Sequence, residues 1–81
     1  MLTAVLGTVN VLKHLISREA GLQVSRLRQT REMTQEELAE LAQLDRRYVQ
    51  RIERGTANPG IEIVGRLREV FAVSWSDLLG L

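Results

Sequence analysis

Apolar residues recur along the chain at steps of three and four and show no period of two, a pattern that predicts helices and no strands. In residues 1–20, MLTAVLGTVNVLKHLISREA, the residues Leu2, Val5, Leu6, Val9, Leu12, Leu15 and Ile16 sit at helical spacing and predict an amphipathic helix. A second helix is expected from Gly21 to about Glu32, with Leu22, Val24 and Leu27 inward, Arg26, Arg28 and Arg31 outward or paired, and Leu38 and Ile52 as its packing partners. From Gln35 a third stripe follows at Leu38, Ala39, Leu41 and Ala42. Asp45 then restarts the pattern. An Asp ahead of Arg46 can accept from the free N–H groups of a new helix, whose inward face carries Val49 and Ile52 and whose end is marked by Gly55 as a left-handed cap. Thr56 to Gly60 has the chemistry of a loop, and Pro59 keeps Asn58 out of a helix. Ile61, Val64, Leu67, Val70 and Phe71 form the next stripe, weakened by Gly65, and Ser74 with Asp77 three residues on starts a short last helix through Leu78 and Leu79.

The fold class expected is all-α, a compact domain of four or five helices over residues 21–81 with an N-terminal apolar helical extension at 1–20. Within it, Thr34 to Gly55 reads as two short helices joined by a three-residue turn. The second helix keeps Arg46, Arg47, Gln50, Arg51 and Arg54 on its outward face. Of these, Arg47, Gln50, Arg51 and Arg54 lie at i, i+3, i+4 and i+7 and point one way. Two helices at this spacing, the second bearing donors for base edges, have the sequence pattern of a helix-turn-helix.

Composition sharpens the picture. A chain of 81 residues holds one small core, and with 44% apolar residues but only 4% aromatic ones that core is built of Leu, Val and Ala. With no Cys, disulfides and thiolate metal sites are excluded, and the chain suits a reducing cytoplasm, the compartment expected. A net charge of +1 is too small for bulk attraction to phosphate, so the distribution of charge matters more. All but one of the eleven basic residues are Arg, whose planar fork of donors matches guanine edges and phosphates, and four of them fall in residues 46–54.

Over residues 21–79 the chain resembles the phage repressor and Cro superfamily of Xre-type helix-turn-helix regulators. The resemblance is carried by Leu27-Arg28, Thr34-Gln35-Glu36-Glu37-Leu38-Ala39, Ile52-Glu53-Arg54-Gly55, Asn58-Pro59, Val73-Ser74 and Leu78-Leu79, with the run LDRRYVQRIERG looking like restriction-modification controller proteins. It implies a lambda-repressor-like fold whose partner is double-stranded DNA. Arg46, Arg47 and Arg51 would then occupy base-reading positions in the major groove, with Gln50 a further base-reading candidate. Gln35, Tyr48, Arg54 and Asn58 would contact the DNA backbone. Arg28 and Glu53 match positions that form a partly buried ion pair between the first helix and the recognition helix. Where the family often has Gly, this chain has Glu32, Gln43 and Ala72, so a shifted turn around Gln43 is expected. Gly60 replaces a basic residue that some relatives direct at the minor groove. Residues 1–20 lie outside the resemblance.

Other functions have less in the sequence to support them. No nucleophilic Cys, phosphate-cradling glycine loop or metal-ligand spacing is present, so neither an enzyme nor a cofactor is expected. His14 stands alone, and Glu36, Glu37 and Glu40 suit the positive end of a helix better than paired catalysis. The competing role is an antitoxin that binds a partner protein and autoregulates, with residues 1–20 as the surface for that partner. Lys13 follows the apolar lead instead of preceding it, so neither a signal peptide nor a membrane anchor is expected. The sequence therefore predicts a DNA-binding transcriptional regulator acting as a homodimer, since one helix reads only a few base pairs. Trp75, Leu78, Leu79 and Leu81 are the candidates for the dimer surface, with Leu2 to Ile16 as the alternative.

Overall fold

The computed structural model describes residues 2–80, with side chains from Ser17 to Gly80. Among the described residues there are five helices and no strand: α1 (Leu2–Thr30), α2 (Gln35–Ala42), α3 (Arg46–Arg54), α4 (Ile61–Phe71) and α5 (Trp75–Leu79). The expected break near Gly21 is absent. Nothing between Ala20 and Gln23 caps or interrupts a helix, so one helix of 29 residues replaces the two expected. At about 1.5 Å per residue it is ~43 Å long and accounts for the longest dimension of the molecule, 46 Å. Ser17 to Ala20 already touch the body of the domain: Ala20 is buried, and Arg18 packs on Gly55. The stripe from Leu2 to Ile16, and Leu81, lie outside the residues whose side chains are described.

Each short helix starts and stops where local chemistry dictates. Thr34 accepts from the Glu37 N–H at 3.0 Å while the Glu37 carboxylate accepts from the Thr34 N–H at 3.2 Å, a reciprocal cap on α2. Asp45 caps α3 by accepting from the Arg47 N–H at 2.7 Å, and Ser74 caps α5 by accepting from the Asp77 N–H at 3.1 Å. Gly55 ends α3 at φ 75°, a conformation that costs a residue without Cβ nothing. Three residues with side chains adopt the same left-handed region: Glu32, Gln43 and Ala72, at φ 54°, 57° and 54°. The turn at Gln43 is therefore not shifted. Gln43 takes the conformation a Gly would take and donates its N–H to the Ala39 and Glu40 carbonyls, accepting about 1 to 2 kcal/mol of backbone strain.

The core joins α1, α2, α3, α4 and α5 through Val24, Leu38, Ala39, Ala42, Val49, Ile52, Ala57, Leu67, Phe71 and Leu78. Three expected core residues fall outside it: Leu22, Leu41 and Ile61 are 57%, 63% and 79% exposed. Helical geometry gives the reason. At about 100° per residue Leu22 lies ~160° around α1 from Val24, and Ile61 ~120° around α4 from Leu67, while Ile63 lies only ~40° away and packs against the core instead. Leu41 lies ~100° from the mean direction of Leu38, Ala39 and Ala42. A three-residue step from one neighbour placed Leu41 and Ile61, and nearness to Val24 placed Leu22, on stripes too wide for the buried face.

Gly21 sets how closely α1 approaches α3. A Cβ there would fall on the Ile52 carbonyl oxygen and lie 3.2 Å from the Glu53 carbonyl oxygen, and both neighbours are backbone. Gly21→Ala gains up to about 1 kcal/mol of helix propensity but overpacks a rigid crossing at a cost of about 1 to 3 kcal/mol. The net expectation is a loss of about 1 to 2 kcal/mol in urea denaturation, against the gain that an open helical site such as Gly7 should show.

Candidate nucleic-acid interface

The buried side of α3 locks its exposed side in place. Val49 and Ile52 are 1% and 2% exposed, which fixes the rotation of the helix about its axis. Arg46, Arg47, Arg51 and Arg54 are exposed as a consequence, and Gln50 is half-buried between them. Tyr48, expected at the DNA backbone, is half-buried and packed against the core, so its ring supports the helix.

Among the described residues the only ion pairs join Arg28 to Glu53 and Arg66 to Glu62. The four arginines of α3 have no carboxylate partner there. Asp45, the acid beside Arg46, spends its Oδ1 on the Arg47 backbone N–H and forms no ion pair with Arg46. Arg46 instead borders two shallow concavities. One is shared with Arg28, Thr34, Gln35 and Glu36 at the start of α2, the other with Asp45, Arg47 and Gln50 along α3. Arg47, Arg51 and Arg54 thus present unmatched donors on one exposed strip of a 9-residue helix, with Arg46 at its edge toward α2, the requirement for contacts to phosphates and base edges.

Behind this strip, Arg28 and Glu53 form a two-pronged pair. Arg28 Nε donates to Glu53 Oε2 at 2.8 Å and Nη2 to Oε1 at 3.1 Å, with side chains 14% and 7% exposed. The remaining Arg28 nitrogen donates to the Met33 carbonyl at 2.8 Å, so the guanidinium also fastens the α1–α2 turn. Gln35, the first residue of α2, donates from Nε2 to Glu53 Oε1 at 3.2 Å. Asn58 is exposed in the loop after α3, and its Oδ1 accepts from Ser17 Oγ at 3.3 Å.

The dimer candidates separate. Leu78 is fully buried in the chain's own core and is removed from that set. Trp75 is 39% exposed, its ring resting on Gly65 with the Arg68 guanidinium 5.2 Å from the ring centroid, and Leu79 is half-buried. Ile61 lies one turn before Gly65 on α4 and is more exposed than Trp75, Leu78 or Leu79. Its exposure was masked by its apparent place in the core stripe. The polar clasps were also missed: Ser17 on Asn58, Gln35 on Glu53, and Arg31, which donates to the Phe71 carbonyl at 2.7 Å and lies over the Phe71 ring. Each joins residues distant in sequence, and only the fold brings them together.

No helix among the described residues is long and apolar enough to cross a membrane. No curated protein matches the chain in sequence. A solved structure does: the restriction-modification controller protein C.AhdI from Aeromonas hydrophila is 31% identical, with a TM-score of 0.73 over 76% of this chain and 94% of that one. The sequence matches the helix-turn-helix family over residues 24–78, a span that runs from the body-facing part of α1 through Leu78 of α5 and includes both helices of the motif. With family pattern, fold and the exposed arginine strip of α3 in agreement, the chain belongs to the Xre-type helix-turn-helix family of DNA-binding regulators.

Proposed function

We propose that the chain is a sequence-specific transcriptional regulator that occupies a double-stranded DNA operator as a homodimer, with α3 in the major groove. The observation that carries this reading is the strip of unpaired guanidiniums on α3, held in one orientation by Val49 and Ile52. Arg47 and Arg51 are its base readers, with Gln50 between them and Arg46 at the edge toward α2. Gln35, Arg54 and Asn58 contact phosphates on either side of the groove and set the register. The similarity to a restriction-modification controller supports a regulatory role over capture of a toxin. Selection from a random duplex library tests the reading. Enrichment of a dyad with half-sites about 10 bp apart is expected, and a pool no different from its input contradicts it.

Phosphate anchors and base readers fail differently. Gln35→Ala is expected to weaken selected and scrambled duplexes by similar factors and to leave the salt slope nearly unchanged, because a neutral side chain releases no counterion. Arg54→Ala should make that slope shallower by about one unit per protomer, or about two for the homodimer on its operator. Titrations at several salt concentrations check both.

The homodimer surface proposed is the outer face of α4 and α5, which carries exposed Ile61 and Trp75 and half-buried Gly65 and Leu79. Sedimentation of the protein with a dyad duplex should give two chains per duplex. Ile61→Glu should reduce this to one, and two chains per duplex in that variant would remove this face from the interface.

A further inference from the structure

Gln35 is oriented by the fold itself. Its Nε2 donates to Glu53 Oε1, the oxygen that also accepts from Arg28 Nη2. A carboxylate offers only acceptors, so the amide must turn its nitrogen toward Glu53. That nitrogen carries two N–H groups. One is committed to Glu53, and the other has no hydrogen-bond partner among the described residues. The amide belongs to the lining of the concavity formed by Arg28, Thr34, Gln35, Glu36 and Arg46, and the Gln35 and Glu36 backbone N–H groups, in the first turn of α2, have no intrahelical acceptor.

We infer that Glu53 is a positioning residue for the DNA backbone: it fixes the Gln35 amide so that the second N–H meets a phosphate at the start of α2. Glu53 sits on the recognition helix and is itself held by the Arg28 fork. The phosphate contact and the base-reading strip therefore share one rigid frame, and the register set by the first is passed to the second. A glutamine ordered before binding spares the affinity lost when a flexible side chain is immobilised, worth about three- to ten-fold in Kd. The inference rests on the reading of α2 and α3 as a DNA-binding surface.

A double-mutant cycle tests it, using a duplex from the selection and its scrambled counterpart. Glu53→Asp keeps the charge beside Arg28 but withdraws the carboxylate by one methylene from Gln35. Glu53→Asp and Gln35→Ala are each expected to weaken both duplexes about three- to ten-fold, and the double variant to bind no more weakly than Gln35→Ala alone. An equal loss from Glu53→Asp with and without Gln35, or no loss at all, overturns the positioning role. Equal binding of both duplexes by the unaltered protein contradicts sequence-specific reading, yet leaves the cycle informative on the scrambled duplex. No binding of either overturns both. If Glu53→Asp does not fold, the side-chain amide resonances of Gln35 in the unaltered protein decide. One amide proton should keep its carboxylate-bonded shift when DNA is added while the other moves. Both protons at the shifts of solvated glutamine amides in the free protein would overturn the inference.

Discussion

Replacing Glu53 by alanine is expected to lower the free energy of unfolding by about 2 to 4 kcal/mol, a large share of the ~4 to 12 kcal/mol available to a domain of this size. Two effects oppose each other. Removing one partner of a buried pair costs about 3 to 5 kcal/mol because a charge is left unmatched in a poorly solvated site. Arg28 keeps the Met33 carbonyl as an acceptor and lies near the carbonyl end of α1, which offsets part of that loss. Burial decides which effect wins: with side chains only 14% and 7% exposed, water cannot readily replace Glu53. Glu62→Ala is the contrast. Its pair with Arg66 has side chains 39% and 81% exposed, and its loss should change stability by no more than about 0.5 kcal/mol. Urea denaturation of the two variants checks the prediction, and equal midpoints would show that the Arg28–Glu53 clasp does not hold α1 to α3.

Arg47→Ala and Arg51→Ala are each expected to lose about 1 to 3 kcal/mol on the selected duplex, the worth of a bidentate contact to guanine N7 and O6. The two residues are four apart on α3. They rise about 6 Å along the helix from one another, which spans roughly two base-pair steps, so they should read neighbouring positions in each half-site. Each variant should relax preference at its own one or two base pairs and retain it at the other's. Duplexes substituted one position at a time will show this. A loss spread evenly over all positions would assign the arginine to phosphate instead.

Much of this was legible in the sequence because the informative signals were local. Asp45 before Arg46, Ser74 before Asp77 and Gly55 after Arg54 mark helix ends by chemistry that acts within three residues, and the structure places caps at each. The arginine strip was equally legible, since spacing within one helix determines direction. Legibility failed where position depends on packing between elements. Leu41 and Ile61 satisfy a three-residue step yet face solvent, Leu22 was grouped with Val24 and Leu27 yet also faces solvent, and Leu78 looks like a surface candidate yet fills the core. The Gly21 crossing and the Gln35–Glu53 bond join residues far apart in sequence, so no local pattern announces them. Glu32, Gln43 and Ala72 show a different failure. Absence of Gly suggested an altered turn, whereas the packed helices on either side hold ordinary residues in the left-handed conformation.

The central claim is that the arginines of α3 read base edges, and the most direct test is the ratio of affinities for selected and scrambled duplexes at one fixed salt concentration. The unaltered protein should prefer the selected duplex, and Arg47→Ala and Arg51→Ala should each cut that preference by about five-fold or more while binding to the scrambled duplex falls much less. If both variants lose affinity equally on the two duplexes, leaving the ratio unchanged, these arginines are not the readers.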